Sequence, residues 1–86
     1  MDAYHHRTTR WRSFEVIIVS GERTYYGRQV EPDRALSEAR WKLALHGPAD
    51  PDDVNDENAL ARLIGGQPLV SHCADGTTVT VAPLTF

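Results

Sequence analysis

A chain of 86 residues with 41% hydrophobic and 24% charged side chains holds one modest core, and that balance excludes a disordered polymer. A formal net charge of −3 argues against nucleic-acid binding by overall charge alone; the single cysteine, Cys73, excludes an internal disulfide framework and fits a reducing, cytoplasmic setting or simply a fold that needs no staple. No apolar run approaches the roughly 20 residues needed to cross a bilayer, and the opening MDAYHHRTTRWR lacks the apolar stretch of a secretory signal, so no membrane partner is expected.

Residues 1–12 show no periodicity and read as a basic arm carrying Arg7, Arg10 and Arg12, ordered only where Trp11 docks. Residues 13–86 read as a single domain. Lys42 is the only lysine. A planar guanidinium suits bidentate binding of phosphate or carboxylate, although GC-rich coding produces the same arginine bias.

From Ser13 the β-branched and aromatic content rises, which is the strand signal. In FEVIIVSGERTYYGR, Gly21 stands where a two-residue type II′ turn needs positive φ. That turn places Val19 opposite Thr24, Ile18 opposite Tyr25, Ile17 opposite Tyr26 and Glu15 opposite Arg28. One face then carries Phe14, Val16, Ile18 and Tyr25, and is expected to face the core. The other carries Ile17, Val19, Tyr26 and Val30, with Glu15 and Arg28 among them. Both faces are apolar, and only one can be covered by the chain's own core.

Pro32 suits a first helical turn, where Glu31 or Asp33 can satisfy free backbone donors. The helix should run to Leu45 or His46 and stop at Gly47-Pro48. Its main stripe is Ala35, Leu36, Ala39 and Leu43 at helical spacing. Trp41 and Leu45 form a second stripe on another side. The segment PADPDDV reads as a connecting loop, followed by a short helix in DENALARLI with Asp53 or Asn55 as its cap and Gly65-Gly66 as its end. Its face of Ala59, Leu60, Leu63 and Ile64 is expected to cover Trp41 and Leu45; uncovered, Trp41 beside Arg40 has the composition of an interface anchor.

QPLVSHC and TTVTVAPL read as two more strands around Asp75-Gly76. A two-residue turn there would pair His72 with Val79 and Val70 with Val81, putting Leu69, Ser71 and Cys73 on the opposite face with Ala82, Thr80 and Thr78. Leu84 and Phe86 need docking if the end is not to fray. The order ββααββ predicts an α+β fold, a four-stranded antiparallel sheet with two helices on one face. The other face is left for solvent or a partner.

No constellation for chemistry emerges. The histidines and Cys73 lack the close spacing of zinc ligands, and neighbours His72 and Cys73 point to opposite faces of a strand. The acidic run from Asp50 fails the calcium-loop template, with Val54 at its fifth position and Asn55 at its sixth; capping and a solvated loop explain its carboxylates. A negative patch meeting a basic partner is the functional alternative. No phosphate-binding glycine loop or nucleophile elbow is present. No catalytic residue, metal or cofactor is expected, and the chain does not read as an enzyme.

The aromatic-Glu-Val of Phe14, Glu15 and Val16, the turn glycine, Gly27-Arg28 closing the second strand and an alanine-bearing helix ending near Gly47-Pro48 resemble a small phage-encoded type of anti-CRISPR protein. The acidic loop, second helix and second hairpin have no counterpart there. The hairpin-then-helix order is also similar to small antitoxin-like domains. The anti-CRISPR resemblance implies a non-enzymatic inhibitor that binds a host defence complex, and it transfers no catalytic or binding residue.

The expectation is therefore a binding domain for a protein partner, such as a host macromolecular complex. Its contacts are Ile17, Val19, Tyr26 and Arg28, helped by Trp11, with a homodimer through the same face as a variant. The competing reading is nucleic-acid binding. There Arg7, Arg10 and Arg12 grip phosphates while Tyr26, Arg28 and Trp11 supply aromatic and cationic contacts on one sheet face.

Overall fold

Gly21 sits at φ +61°, the positive value that the first central position of a type II′ turn requires, and among the described residues only glycines have positive φ. The hairpin it closes joins β1 (Ser13–Ser20) to β2 (Arg23–Gln29) in the register that the turn dictates, with Ile17 opposite Tyr26 and Glu15 opposite Arg28. The computed structural model describes residues 11–85; Arg7, Arg10 and Phe86 lie outside the described residues.

The remaining elements are α1 (Pro32–Ala44), β3 (Ala49–Asp52), α2 (Ala59–Ile64), β4 (Leu69–Cys73) and β5 (Thr78–Leu84). The sheet is antiparallel with five strands in the order β2-β1-β5-β4-β3. The fifth strand corrects the four-strand expectation. Half of the PADPDDV segment pairs with β4, Ala49 against Cys73 and Asp52 against Ser71, across an irregularity in register. Its proline and aspartates are poor strand formers, but an edge position needs only one row of backbone partners.

The second hairpin departs by one residue from the two-residue turn. Thr78 pairs with His72, Val79 with Ser71 and Val81 with Leu69. The loop is Ala74-Asp75-Gly76: the Cys73 amide donates to the Thr77 carbonyl, and Gly76 takes φ +90°. Three-residue loops of this kind place glycine at the left-handed position. A one-residue slip moves a whole set of side chains to the other face. Leu69, Ser71 and Cys73 therefore join Val79 and Val81 beneath the helices, while Val70 and His72 join Thr78 and Thr80 outside.

The core lies between that face and the two helices. Phe14, Val16 and Ile18 meet the expected α1 stripe of Ala35, Leu36, Ala39 and Leu43, and all are buried. Val54, Ala59 and Leu63 complete it from the α2 side. Each fully buried Val or Leu contributes about 1.5–3 kcal/mol.

Trp41 and Leu45 are not covered. They are 63% and 66% exposed, because α2 turns Ala59 and Leu63 into the sheet core and leaves Leu60 facing outward. The caps also differ from expectation. Neither Glu31 at the start of α1 nor Asn58 at the start of α2 makes a side-chain cap hydrogen bond. Glu31 instead pairs with Arg34, and Asp53 and Asp56 hold Arg62 across the α2 segment. Among the described residues no helix is long and apolar enough to cross a membrane.

Candidate interaction surface

Strand alternation makes the uncovered face of the sheet a grid of three rows. The middle row runs Tyr26, Ile17, Thr80, Val70. One flanking row is Thr24, Val19, Thr78, His72, and the other is Arg28, Glu15, Ala82. All three come from the period of two in β1, β2, β4 and β5, with both helices on the opposite side. Glu15 and Arg28 stand directly opposite each other, so the two full charges of the grid compensate. The rest is apolar or threonine, with His72 at one end.

Tyr26 is 51% exposed and Val19 is exposed beside it, whereas Ile17 is partly shielded by its neighbours. The Arg28 guanidinium reaches the Tyr26 hydroxyl at 3.5 Å along the same strand. Four of the proposed contacts, Ile17, Val19, Tyr26 and Arg28, are thus brought together. The hairpin turn was sufficient to group them. Val70, Thr78 and Thr80 belong to the same surface but were split by the assumed two-residue turn at Asp75-Gly76; the left-handed Gly76 is what a three-residue loop would have required.

Trp11 is not on this surface. Its Nε1 donates to the Ile64 carbonyl at 2.6 Å, and its ring packs against the core from the helix side of the sheet. Arg12 is exposed, and its amide donates to the Leu84 carbonyl at 2.9 Å, continuing the β1–β5 pairing by one residue. The expected sharing of one sheet face by Trp11, Tyr26 and Arg28 does not hold.

Tyr25, expected on the core face, is 41% exposed. It lies on the helix side, but β2 is an edge strand, and the α1 side chains that reach Tyr25 are the polar Glu38 and Lys42. The Tyr25 hydroxyl donates to Glu38 at 2.5 Å, Glu38 also accepts from Gln29 at 2.9 Å, and Lys42 Nζ sits 4.3 Å from the Tyr25 ring centre. The Glu38 hydrogen bond, then burial and the Glu38 charge, push the Tyr25 phenol above its usual range. Lys42 also lies 5.2 Å from the Trp41 ring, linking Tyr25 to the exposed Trp41.

Two polar clusters tie elements of the fold together. Asp52 accepts from the Ser71 hydroxyl at 2.7 Å and from both the amide and side chain of Asn55, while Ser71 accepts from the Val54 amide. Together with Arg40, which donates to the Val54 carbonyl, these bonds seat the buried Val54. At the other end His46, Asp75, Thr77 and Ser20 meet. Asp75 lies 3.0 Å and Thr77 3.3 Å from His46 Nδ1, and the Thr77 hydroxyl donates to Ser20. In a Ser-His-Asp relay the carboxylate and hydroxyl bind opposite ring nitrogens. Here both fall on Nδ1, an arrangement that ties the end of α1 to the β4–β5 loop.

Among the described residues no three His, Cys, Asp or Glu groups are arranged to hold a metal ion. No family model, curated protein or solved structure matches the chain.

Proposed function

We propose that this chain is a non-enzymatic binding protein that acts through protein–protein contact on the open face of its sheet. The observation that carries this reading is the charge-compensated surface centred on Ile17, Val19, Tyr26 and Thr80, opposite both helices. A solvated antiparallel face ordinarily alternates to polar and charged residues. Here β1 and β5 contribute Ile17, Val19, Thr78, Thr80 and Ala82, with Glu15 as the one charge among them. Stable protein interfaces bury about 800 Å² per partner, so a stable partner would have to cover most of this face. The anti-CRISPR resemblance of the first hairpin and helix makes a phage-encoded inhibitor of a host defence complex the specific form of this proposal.

The pairing of Arg28 with Tyr26 on that face favours a second reading, nucleic-acid binding with the arginine arm. Pull-down from a host lysate followed by titration against the captured component separates the two. Protein binding should be lost in Ile17→Glu and weakened at least tenfold in Tyr26→Ala, with little salt dependence. Nucleic-acid binding would fall steeply with salt and vanish when Arg7, Arg10 and Arg12 are replaced by alanine. Unchanged capture by a folded Ile17→Glu variant overturns the proposed surface.

A further inference from the structure

The two edges of the sheet are built differently. The β3 edge is short, irregular in register, and carries Pro51 between two aspartates, all features that discourage pairing with another strand. The β2 edge is seven residues long, pairs regularly with β1 along its length, and contains no proline. Exposed apolar side chains gather around it: Tyr25 and Tyr26 on its two faces, Val30 just beyond it, and Trp41 beside Tyr25 through Lys42.

The hairpin turn also decides which backbone groups of β2 are free. In a two-residue hairpin the residues flanking the turn exchange hydrogen bonds, here Ser20 and Arg23, and such pairs recur at every second position. Tyr25, Gly27 and Gln29 therefore aim their amides and carbonyls at β1. Thr24, Tyr26 and Arg28 aim theirs outward, where no strand pairs with them among the described residues.

We propose that the β2 edge pairs with β2 of a second copy of this chain, antiparallel about a two-fold axis at Tyr26, to form a continuous ten-stranded sheet. This register pairs all seven residues of β2, because Tyr26 is the centre of Arg23–Gln29. It joins the outward groups of Thr24 to those of Arg28 in the other copy, and Tyr26 to Tyr26. It sets each Tyr25 directly opposite the other copy's Gly27, over which that copy's Glu38 carboxylate lies. It also sets Arg28 opposite Thr24 and Arg23 opposite Gln29, so no arginine faces another. The dimer gives Tyr25 and Trp41 a neighbour on the helix side and places two open faces side by side. It does not depend on what binds those faces.

Light scattering on the full chain, with backbone amide exchange on the same samples, tests the pairing. At about 0.2 mM the wild type should be a dimer that dissociates on dilution, with the Thr24, Tyr26 and Arg28 amides protected in the dimer and exchanging freely in the monomer. Thr24→Pro removes one outward donor and leaves the β1 ladder intact, so it should weaken the dimer at least tenfold. Ile17→Glu should leave it unchanged while abolishing the partner binding proposed above. A wild-type monomer at that concentration overturns the inference. So does protection of the three amides in a monomer, which assigns the edge to another segment of the same chain. A dimer lost in Ile17→Glu but kept in a folded Thr24→Pro variant also overturns it, in favour of face-to-face packing. If Thr24→Pro does not fold, the wild-type exchange pattern decides alone.

Discussion

The Trp11 indole donates its Nε1 proton to the Ile64 carbonyl at 2.6 Å and lies so close to Gly66 that a β-carbon there would come within 2.9 Å of the ring. This contact fastens the start of β1 to the end of α2, two segments separated by most of the sequence. It satisfies one of the carbonyls that a helix end leaves unpaired. Trp11→Phe keeps an aromatic ring and removes the donor, so it should cost about 1 kcal/mol in urea unfolding. Gly66→Ala should cost more, about 1–3 kcal/mol, because its φ of +101° is strained for a side chain and the indole must move. A Gly66→Ala variant as stable as the wild type would show that the ring does not rest there.

Trp41 should behave in the opposite way. It is 63% exposed and packs beside Lys42 on the outside of α1. Trp41→Ala should therefore change stability by less than about 0.5 kcal/mol, as surface substitutions generally do. Leu43→Ala, two residues along the same helix and fully buried, should cost about 2–5 kcal/mol. Chemical denaturation of the two variants side by side measures the contrast. A large loss in Trp41→Ala would place that ring in the core.

Where one strong local rule governs a segment, the residues were readable from the sequence. Gly21 alone set the β1–β2 register, and the 35, 36, 39, 43 spacing set the buried stripe of α1. Where two local options differ by one residue, the outcome rests on packing. The Ala74-Asp75-Gly76 loop was legible as a turn but not as a three-residue one, and only that choice puts Leu69, Ser71 and Cys73 on the core face with Val79 and Val81. β3 has almost no strand propensity of its own. It exists because β4 offers a free edge and because Asp52, Asn55 and Ser71 fix the chain beside it. The position of Trp41 depended on the direction of α2, which six residues of helix do not specify. The uncovered face was legible in its β1–β2 half, for the same reason the register was.

Cys73 is buried on the inner face of β4, and burial, followed by the nearby Asp75 and Asp52 charges, pushes its thiol above the usual range. Both effects disfavour the thiolate, which is the reactive species. A thiol-specific reagent such as Ellman's should therefore react with the native protein at least tenfold more slowly than with a free cysteine at pH 8. The reaction should become fast in denaturing urea. Rapid labelling under native conditions would mean that β4 opens readily or is not packed as described.

Asp52 makes the fold sensitive to acid. Burial pushes its carboxyl up, but the hydrogen bonds from the Asn55 side chain, the Ser71 hydroxyl and the Asn55 amide, helped by the Arg40 charge, outweigh it and hold the group below its usual range. Asp75 is lowered in the same direction, first by the Thr77 amide and then by the Thr77 and His46 side chains. A carboxyl whose pKa is lower in the folded state binds fewer protons there than in the unfolded chain. Its stabilisation is complete above the unfolded value, about 3.9, and is lost as pH falls through the lower folded value. The urea midpoint should therefore hold steady from neutrality to about pH 5 and drop below about pH 4. Asp52→Asn should be less stable than the wild type at neutral pH, by about 1–3 kcal/mol, and should lose less stability between pH 5 and pH 3. Asp75→Asn, on an exposed loop, should flatten the profile more weakly. Parallel acid profiles for the wild type and Asp52→Asn would assign the acid sensitivity to other carboxylates and remove Asp52 from the account of how β3 is held.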